Sequence, residues 1–329
     1  MDLLPGAEEE EIARAAADYL AGELPVTRCH RPDADILPAD KRLEIANLGW
    51  FGLSLPETRG GVGLSAVDDV MLFREAGRFL APLSLLTNAL AVRVAAEAGN
   101  AELAASVLGG QAQTALAVAA PQDDGLLRLF DWKGASLALL AGPDKASLYR
   151  LDPARVTPVE CLDKTISMGT AVAGALPLLA QGSGDAAQVG TLNAAAMLVG
   201  LAEAELAMIV EYAQIRETFG RPIGAYQAVR HPCADMAVRC EAARAQLYAA
   251  AVSRRDGRAD AAAQIAAAKL LANAAAVKNA DWNIQLHGGI AVTMEHDAHL
   301  YMKRANLLSR LFGADRVLLD GILDAKLAA

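Results

Sequence analysis

Three long alanine-rich segments after residue 185 constrain the fold of this chain more than any other feature. They read AAQVGTLNAAAMLVGLAEAELAMIVEYAQIRETF, GAYQAVRHPCADMAVRCEAARAQLYAAAVSRR and RADAAAQIAAAKLLANAAAVKNADWNIQLHG. Alanine and leucine are among the best helix formers. With a final pair of helices over 295–327, the segments predict a bundle of long antiparallel helices. The first helix is expected to run to Gly220, with Pro222 opening the next.

The chain before residue 185 divides into a helical part and a β part. Helical periodicity extends to about residue 110, and Ser65 with Asp68 forms a capping box for one of these helices. From about 113, short apolar stretches such as TALAVAA and SLALLAG alternate with Pro, Gly and Asp, which is typical of strands and turns. We predict a mainly α protein with a helical domain over 1–112, a small β-strand domain over 113–184 and a helical bundle over 185–329.

Charge and cysteine content exclude several classes of protein. The formal net charge of −9 argues against nucleic-acid binding, which requires a basic surface. The four cysteines show no CxxC spacing, so neither a structural zinc site nor a disulfide framework is expected, and a reducing cytoplasm fits best. The N-terminus shows no signal peptide, and no uninterrupted apolar run reaches the length of a membrane span. We expect a soluble cytoplasmic protein.

Two short motifs favour ordinary structural interpretations. GGVGLSA at 60–66 satisfies the GxGxxA dinucleotide fingerprint, but it lies in a helical region without the required preceding strand. A loop leading into a helix is the better interpretation. His296 and His299 lie three residues apart with Glu295 and Asp297 adjacent, yet no second ligand pair accompanies them. We therefore predict no metal site.

The stretch RETFGRPIGAYQ at 216–227 allows two interpretations. It could be a plain corner between helices, with Gly220 as the C-cap. Alternatively, Arg216 could form a forked contact with phosphate while Phe219 supplies an apolar wall. NIQLHGGI at 283–290 favours the second interpretation, since Gly288 and Gly289 lack the Cβ atoms that would keep a ligand away from the backbone.

At this point the sequence resembles the acyl-CoA dehydrogenase family over nearly its whole length. The matching segments are NLGWFGLSLPETRGGVGLS, RETFGRPIGAYQAVRHPCADM and IQLHGGIAVTMEHDAHLYMKRAN, in the family's order. The resemblance implies an α-helical N-domain, a β middle domain and a C-terminal four-helix bundle. It also implies FAD-dependent formation of a Cα=Cβ double bond in an acyl-CoA thioester, with an electron-transfer flavoprotein as the usual electron acceptor.

In the family the RxTFG and QxxGG motifs bind the ADP half of an FAD held mainly by a neighbouring subunit. The resemblance therefore implies a cofactor-binding role for eight residues. They are Arg216, Thr218, Phe219, Tyr226, Gln227, Gln285, Gly288 and Gly289.

The chain departs from the family where the chemistry requires a general base. The glutamate position after the last signature helix holds Phe312, and the alternative position before the first long helix falls at Gly190. Ala314 replaces the threonine that follows the glutamate. The stretch AVAAPQDDG lacks the hydroxyls of the family's flavin-binding TEPxxGSD loop, and the middle domain is short.

This pattern resembles the base-less subunit of split bacterial α2β2 acyl-CoA dehydrogenases. Such a subunit shares FAD with a glutamate-bearing partner, which binds most of the acyl-CoA, and these enzymes act on bulky thioesters, including steroid side-chain CoA esters. Two alternatives stay open. One is a homomeric flavoenzyme that uses Asp315 or Glu295 as base; the other is a flavin-free scaffold or acyl-CoA-binding protein.

Overall fold

The computed structural model describes residues 3–31, 37–120 and 125–325. Packing groups the chain into two compact units. The first unit comprises 1–30, 69–81 and 191–329, and the second comprises 31–68 and 82–190. Because each unit combines separate chain segments, the division at 112 and 184 stays a prediction.

Within the described residues the chain forms ten α-helices. They are α1 (Ala7–Glu23), α2 (Ala39–Asn47), α3 (Ala66–Arg78), α4 (Leu83–Glu97), α5 (Ala101–Leu108), α6 (Asp185–Ile215), α7 (Gln227–Arg255), α8 (Ala261–His287), α9 (Ala298–Leu308) and α10 (Asp315–Asp324). The three longest, α6 to α8, coincide with the three alanine-rich segments.

Seven strands of the second unit form one mixed sheet with the order β5-β6-β2-β1-β3-β4-β7. The strands are β1 (Thr114–Ala119), β2 (Leu126–Phe130), β3 (Leu137–Ala141), β4 (Lys145–Arg150), β5 (Thr157–Val159), β6 (Met168–Val172) and β7 (Leu178–Ser183). Among the described strands of this sheet only β1 and β3 pair in parallel, with Thr114 opposite Leu137 and Ala117 opposite Leu140. The predicted fold class, mainly helical with a small β middle part, is confirmed.

Helix α4 is the central helix of the second unit. It is apolar nearly all round and almost wholly buried, as expected for a core helix. Two of its polar side chains form hydrogen bonds with the backbone of the sheet. The Asn88 side chain accepts the Thr114 N–H at 2.8 Å, and the Thr87 hydroxyl donates to the Thr114 carbonyl at 2.5 Å. These two bonds fix β1 against α4.

In the first unit, three side chains cap the C-terminal end of α3. Arg28 donates to the carbonyls of Phe79 and Leu80, at 3.1 and 2.6 Å. Tyr301 donates to the Arg78 carbonyl at 2.5 Å, and Arg304 to the Ala81 carbonyl at 2.8 Å. A helix C-terminus leaves carbonyls without intrahelical partners, so these donors tie α3 to α9 and to the segment after α1.

The bundle helices of the first unit approach closely because their contact residues are small. A Cβ added to Gly77 of α3 would lie 1.9 Å from the Met197 carbonyl oxygen, and one added to Gly200 of α6 would lie 1.8 Å from the Arg74 carbonyl oxygen. Helices α7 and α8 run antiparallel, since Arg239 bonds Asn279 and Gln246 bonds Gln264.

Helix α6 is the one described helix whose length and hydropathy would allow a membrane crossing. Its most apolar window is 67% buried inside the protein, so the bundle core accounts for the apolar character of this helix. The predicted cytoplasmic location stays a prediction.

The 60–66 loop has the structure of a tight helix-entry loop. Val62 and Gly63 donate to the carbonyls of Gly52 and Leu55, and 3-10 turns rather than a strand precede the loop. The Asp68 carboxylate accepts the Ser65 N–H at 2.8 Å, and the Ser65 hydroxyl accepts the Val67 N–H at 3.1 Å. This geometry is not that of a dinucleotide-binding fingerprint, which confirms the structural interpretation.

Replacing Gly200 with alanine should destabilise the protein, although alanine is favoured over glycine in a helix by about 1 kcal/mol. The added methyl group would overlap the Arg74 carbonyl, and overpacking costs roughly 1–3 kcal/mol. Gly321→Ala in α10 is the matched control, because no atom lies within 4 Å of its added Cβ. Urea unfolding followed by circular dichroism measures both. Equal stability of the two variants would contradict the close helix contact.

Candidate functional site

The first predicted binding turn is a small hairpin rather than a plain helix corner. Helix α6 ends at Ile215, and β8 (Glu217–Thr218) pairs with β9 (Arg221–Pro222). The expectation that the helix runs to Gly220 and that Pro222 opens the next was wrong. The chain forms a hairpin instead of continuing the helix because the Ile223 N–H donates to the Arg216 carbonyl at 2.8 Å and closes the turn.

Phe219 stands at the tip of this hairpin in a costly arrangement. Its side chain is 97% exposed, and its backbone is left-handed with φ +49°. A left-handed bulky residue costs on the order of 1–3 kcal/mol, and an exposed phenylalanine forgoes about 2 kcal/mol of burial. No described residue covers the Phe219 ring, so Phe219 is suited to contact a ligand or another chain.

Two other predicted residues hold the shape of the hairpin. The Tyr226 hydroxyl donates to the Thr218 carbonyl at 2.9 Å, and the Arg221 guanidinium lies 4.1 Å from the centre of the Tyr226 ring. Thr218 and Tyr226 therefore already have contacts within the protein that stabilise the hairpin. Arg216 and Gln227, like Phe219, have exposed side chains.

The second predicted turn begins where α8 ends at His287. Gly288 has φ +71°, a conformation that favours glycine. Gly289 has no positive φ, and a Cβ there would meet no atom within 4 Å. The surrounding structure therefore leaves open space over this backbone, and the exposed Gln285 lies one turn before it.

A stack of rings connects the two turns. The Tyr212 ring lies 4.4 Å from the His287 ring, which in turn lies 4.6 Å from the ring of His296. Tyr212 is one helical turn before Arg216, whose N–H donates to its carbonyl at 2.9 Å. The structure thus brings together the ends of α6 and α8, which carry Arg216 and the glycine pair.

The pKa of His287 is shifted downward by its surroundings, which favours the neutral imidazole. Burial lowers its pKa, and the neighbouring His296 lowers it further. Its Nδ1 lies 2.8 Å from the Asn283 carbonyl oxygen. The sequence offered no signal for Tyr212 or His287 as connecting residues, because their contact depends on the packing of two distant helices.

The predicted base position holds a phenylalanine in a second left-handed turn. Phe312 has φ +55°, and its carbonyl accepts the Thr191 hydroxyl at 3.1 Å. Thr191 directly follows Gly190, the alternative base position. Neither Phe312 nor Gly190 has a side chain that accepts a proton.

A buried lysine bonds backbone carbonyls on either side of the Phe312 turn. Lys269 on α8 is fully buried, and its ammonium donates to Asn273 at 2.6 Å and to the Leu308 carbonyl at 3.3 Å. A longer contact of 3.5 Å reaches the Gly313 carbonyl. Burial lowers the pKa of Lys269 to about 7, partly offset by the charge of Asp315. Because the amine is enclosed, it is a support for the turn rather than a base for a substrate.

Asp315 and Glu295, the two residues considered as alternative bases, lie in different environments. Asp315 accepts the Asn273 amide at 2.8 Å and so belongs to the Lys269 cluster. Glu295 is exposed in the segment before α9. Of the AVAAPQDDG stretch, 121–124 lie outside the described residues.

His296 makes a local hydrogen bond, and His299 is buried with its ring edge-on to that of His30. His296 Nδ1 accepts the Ala298 N–H at 3.1 Å, while Asp297 bonds His30 at 2.5 Å. In the part of the chain that the structure describes, no group of three or more His, Cys, Asp or Glu side chains is placed to hold a metal ion.

Comparisons with known proteins match both ends of the chain to the domains of one family. The acyl-CoA dehydrogenase N-terminal domain family matches residues 6–114, and the C-terminal domain family matches 185–327. The acyl-CoA dehydrogenase IpdE2 of Mycobacterium tuberculosis is 34% identical over 84% of this chain and 83% of its own length.

Two solved structures share the fold. The ChsE4–ChsE5 complex from Mycobacterium tuberculosis matches with a TM-score of 0.84 and 21% identity over 100% of both chains. A variant of the Tcur3481–Tcur3483 steroid acyl-CoA dehydrogenase matches with a TM-score of 0.80 and 26% identity over 98% of both chains.

Replacing Lys269 with methionine should flatten the pH dependence of stability. Between its folded pKa of about 7 and the unfolded value of about 10.4, only the unfolded chain binds this proton, so stability rises with pH in that window. The rise should be on the order of a few kcal/mol. Urea unfolding at pH 7 to 10 measures it, with Lys278→Met, exposed on the same helix, as control. The same pH slope in Lys269→Met and wild type would contradict the assignment.

Proposed function

Because this chain belongs to the acyl-CoA dehydrogenase family, we propose that it is the base-less subunit of an α2β2 enzyme of this family. Its role is to complete the FAD site of a glutamate-bearing partner subunit. The observation that carries the proposal is Phe219, a left-handed phenylalanine that is 97% exposed. Such a residue at the tip of a hairpin calls for a cofactor and a neighbouring chain to cover it.

The exposed residues of the two turns fit the ADP half of FAD. Arg216 and Arg221 supply positive charge for a pyrophosphate, and a guanidinium binds such oxygens in a forked manner. Gln227 and Gln285 offer amides for ribose or adenine, and Phe219 offers an apolar face. The open space over Gly289 lets a ligand touch the backbone. When bound, FAD supplies the hydride acceptor for formation of the Cα=Cβ bond.

The base position explains why a partner is needed. Removal of the substrate α-proton requires a basic side chain within hydrogen-bond reach. Phe312 occupies the predicted position, and the amine of Lys269 beneath it is enclosed by Asn273 and backbone carbonyls. We assign proton removal, and most of the acyl-CoA contacts, to the partner subunit.

The similarity to heteromeric relatives supports the same assembly. ChsE4–ChsE5 is a complex of two chains, and Tcur3481–Tcur3483 is a steroid acyl-CoA dehydrogenase. We extend both features to this chain as proposals: a heterotetramer and a bulky thioester substrate such as a steroid side-chain CoA ester. Fatty acid or steroid degradation by β-oxidation in the cytoplasm, with an electron-transfer flavoprotein as acceptor, completes the proposal.

Substitutions in the first turn should weaken FAD binding without breaking the complex. This chain is co-expressed with a glutamate-bearing acyl-CoA dehydrogenase of the same genome, and FAD affinity is measured by dialysis after size-exclusion chromatography. Arg216→Gln and Phe219→Ala should each weaken FAD binding about tenfold, as expected for the loss of a charge-assisted hydrogen bond or of a buried aromatic contact.

Arg14→Gln on α1, a similarly exposed arginine, is the matched control and should retain wild-type affinity. Unchanged FAD affinity in both turn variants, with the complex intact, would show that this chain does not contribute to the cofactor site.

A further inference from the structure

The second unit contains a cavity of about 480 Å³ that none of the residues discussed above lines. It lies where the start of α4 and the start of β1 meet the turn after β2. The segment from Pro158 through Met168 forms another side. Cavities of this volume bury most of the surface of a small organic molecule.

The walls of the cavity are held by a network of hydrogen bonds. The Asp131 carboxylate accepts the Ser84 N–H at 3.0 Å, and the Asp131 N–H donates to the Ser167 carbonyl at 2.8 Å. The Lys133 N–H donates to the Ser167 hydroxyl at 3.1 Å. Asp131 itself has φ +54°, and residues held in this conformation concentrate at ligand sites. The cavity is therefore preformed.

One buried hydroxyl at the cavity has no partner. Ser84 is 1% exposed, and its Oγ makes no hydrogen bond with any described residue. A buried polar atom left without a partner costs on the order of 1–3 kcal/mol, so such an atom calls for an explanation. The Oγ atom is closed off from the cavity in this rotamer, so a ligand oxygen satisfies it after rotation about χ1 turns the hydroxyl toward the ligand.

The remaining lining favours a neutral, mostly apolar ligand. Leu37, Pro82, Val159, Ile166 and Met168 supply apolar surface. The charges of the lining balance, since the two lysines Lys133 and Lys164 are matched by Asp131 and by Glu160, which pairs with Lys164. The Asp131 carboxylate also occupies the positive end of α4, which would otherwise attract an anion.

We propose that this cavity binds a neutral, largely apolar molecule with one carbonyl oxygen, which accepts the hydrogen bond of the Ser84 hydroxyl. The binding site belongs to the second unit and does not depend on the proposed FAD role of the two turns. A failure of either proposal therefore leaves the other standing.

Camphor, a compact neutral ketone, is the probe, and the full chain is used. Of the three tryptophans, only Trp132 lines the cavity. The NMR signal of its indole N–H should therefore shift when camphor is titrated into the protein. The signal is assigned by its loss in Trp132→Phe. Ser84→Ala should weaken binding about two- to tenfold, the range expected for one hydrogen bond.

Val159→Trp, at the rim of the cavity, should abolish the shift by filling the mouth. Val172→Trp is the matched control, because Val172 is also an exposed valine at a strand of the same sheet but does not line the cavity. Thermal melts verify that each variant is folded.

Three results would overturn the proposal. The first is no shift of the Trp132 signal at millimolar camphor. The second is equal loss of binding in Val159→Trp and Val172→Trp. The third is tighter binding of camphorsulfonate than of camphor with no effect of Ser84→Ala, which would indicate an anion bound by the rim lysines.

Discussion

The contact of α6 with α3 at Gly77 and Gly200 is the constraint on which the first unit depends. With a side chain at either position, the backbones could not come so close, since an added Cβ would lie under 2 Å from a carbonyl oxygen. This contact anchors a 31-residue helix whose far end carries Tyr212 and Arg216. The Tyr212–His287 ring contact joins the end of α6 to the end of α8, and these two helix ends, distant in sequence, carry the turns of the proposed FAD site.

The Phe312 turn lies where the resemblance to the family places the general base, and several contacts hold it in an unfavourable backbone conformation. The turn has a left-handed residue, a hydroxyl contact from Thr191 and the buried Lys269 beneath it. Holding a left-handed phenylalanine requires such surrounding contacts, because the conformation is unfavourable by itself. The Lys269 cluster supplies them at the cost of burying an amine, whose pKa falls accordingly. The turn is thus maintained although its side chain cannot remove a proton.

Much of the fold could be predicted from the sequence, since long alanine-rich segments leave little choice but helix. Strands such as β1 and β3 were also visible, as the apolar stretches TALAVAA and SLALLAG between turn residues. Strands β2, β6 and β7 were missed because LLRLF, MGTAV and LLAQGS include polar or glycine residues and depend on partners elsewhere in the sheet. The hairpin at Glu217–Pro222 was missed for a similar reason: it is held by bonds from Ile223 and Tyr226, which follow it in the chain. Lys269, a charged residue among alanines and leucines, could have been noticed in the sequence, whereas Ser84 and Trp132 gave no signal.

The central claim is that this chain supplies half of an FAD site, and the FAD content of the purified chain tests it most directly. The absorbance ratio at 450 and 280 nm is measured for the chain expressed alone and for its complex with a glutamate-bearing subunit. The account predicts almost no FAD on the chain alone and one FAD per pair in the complex. Close to one FAD per chain in the absence of a partner would contradict it, because the chain would then build a whole site by itself.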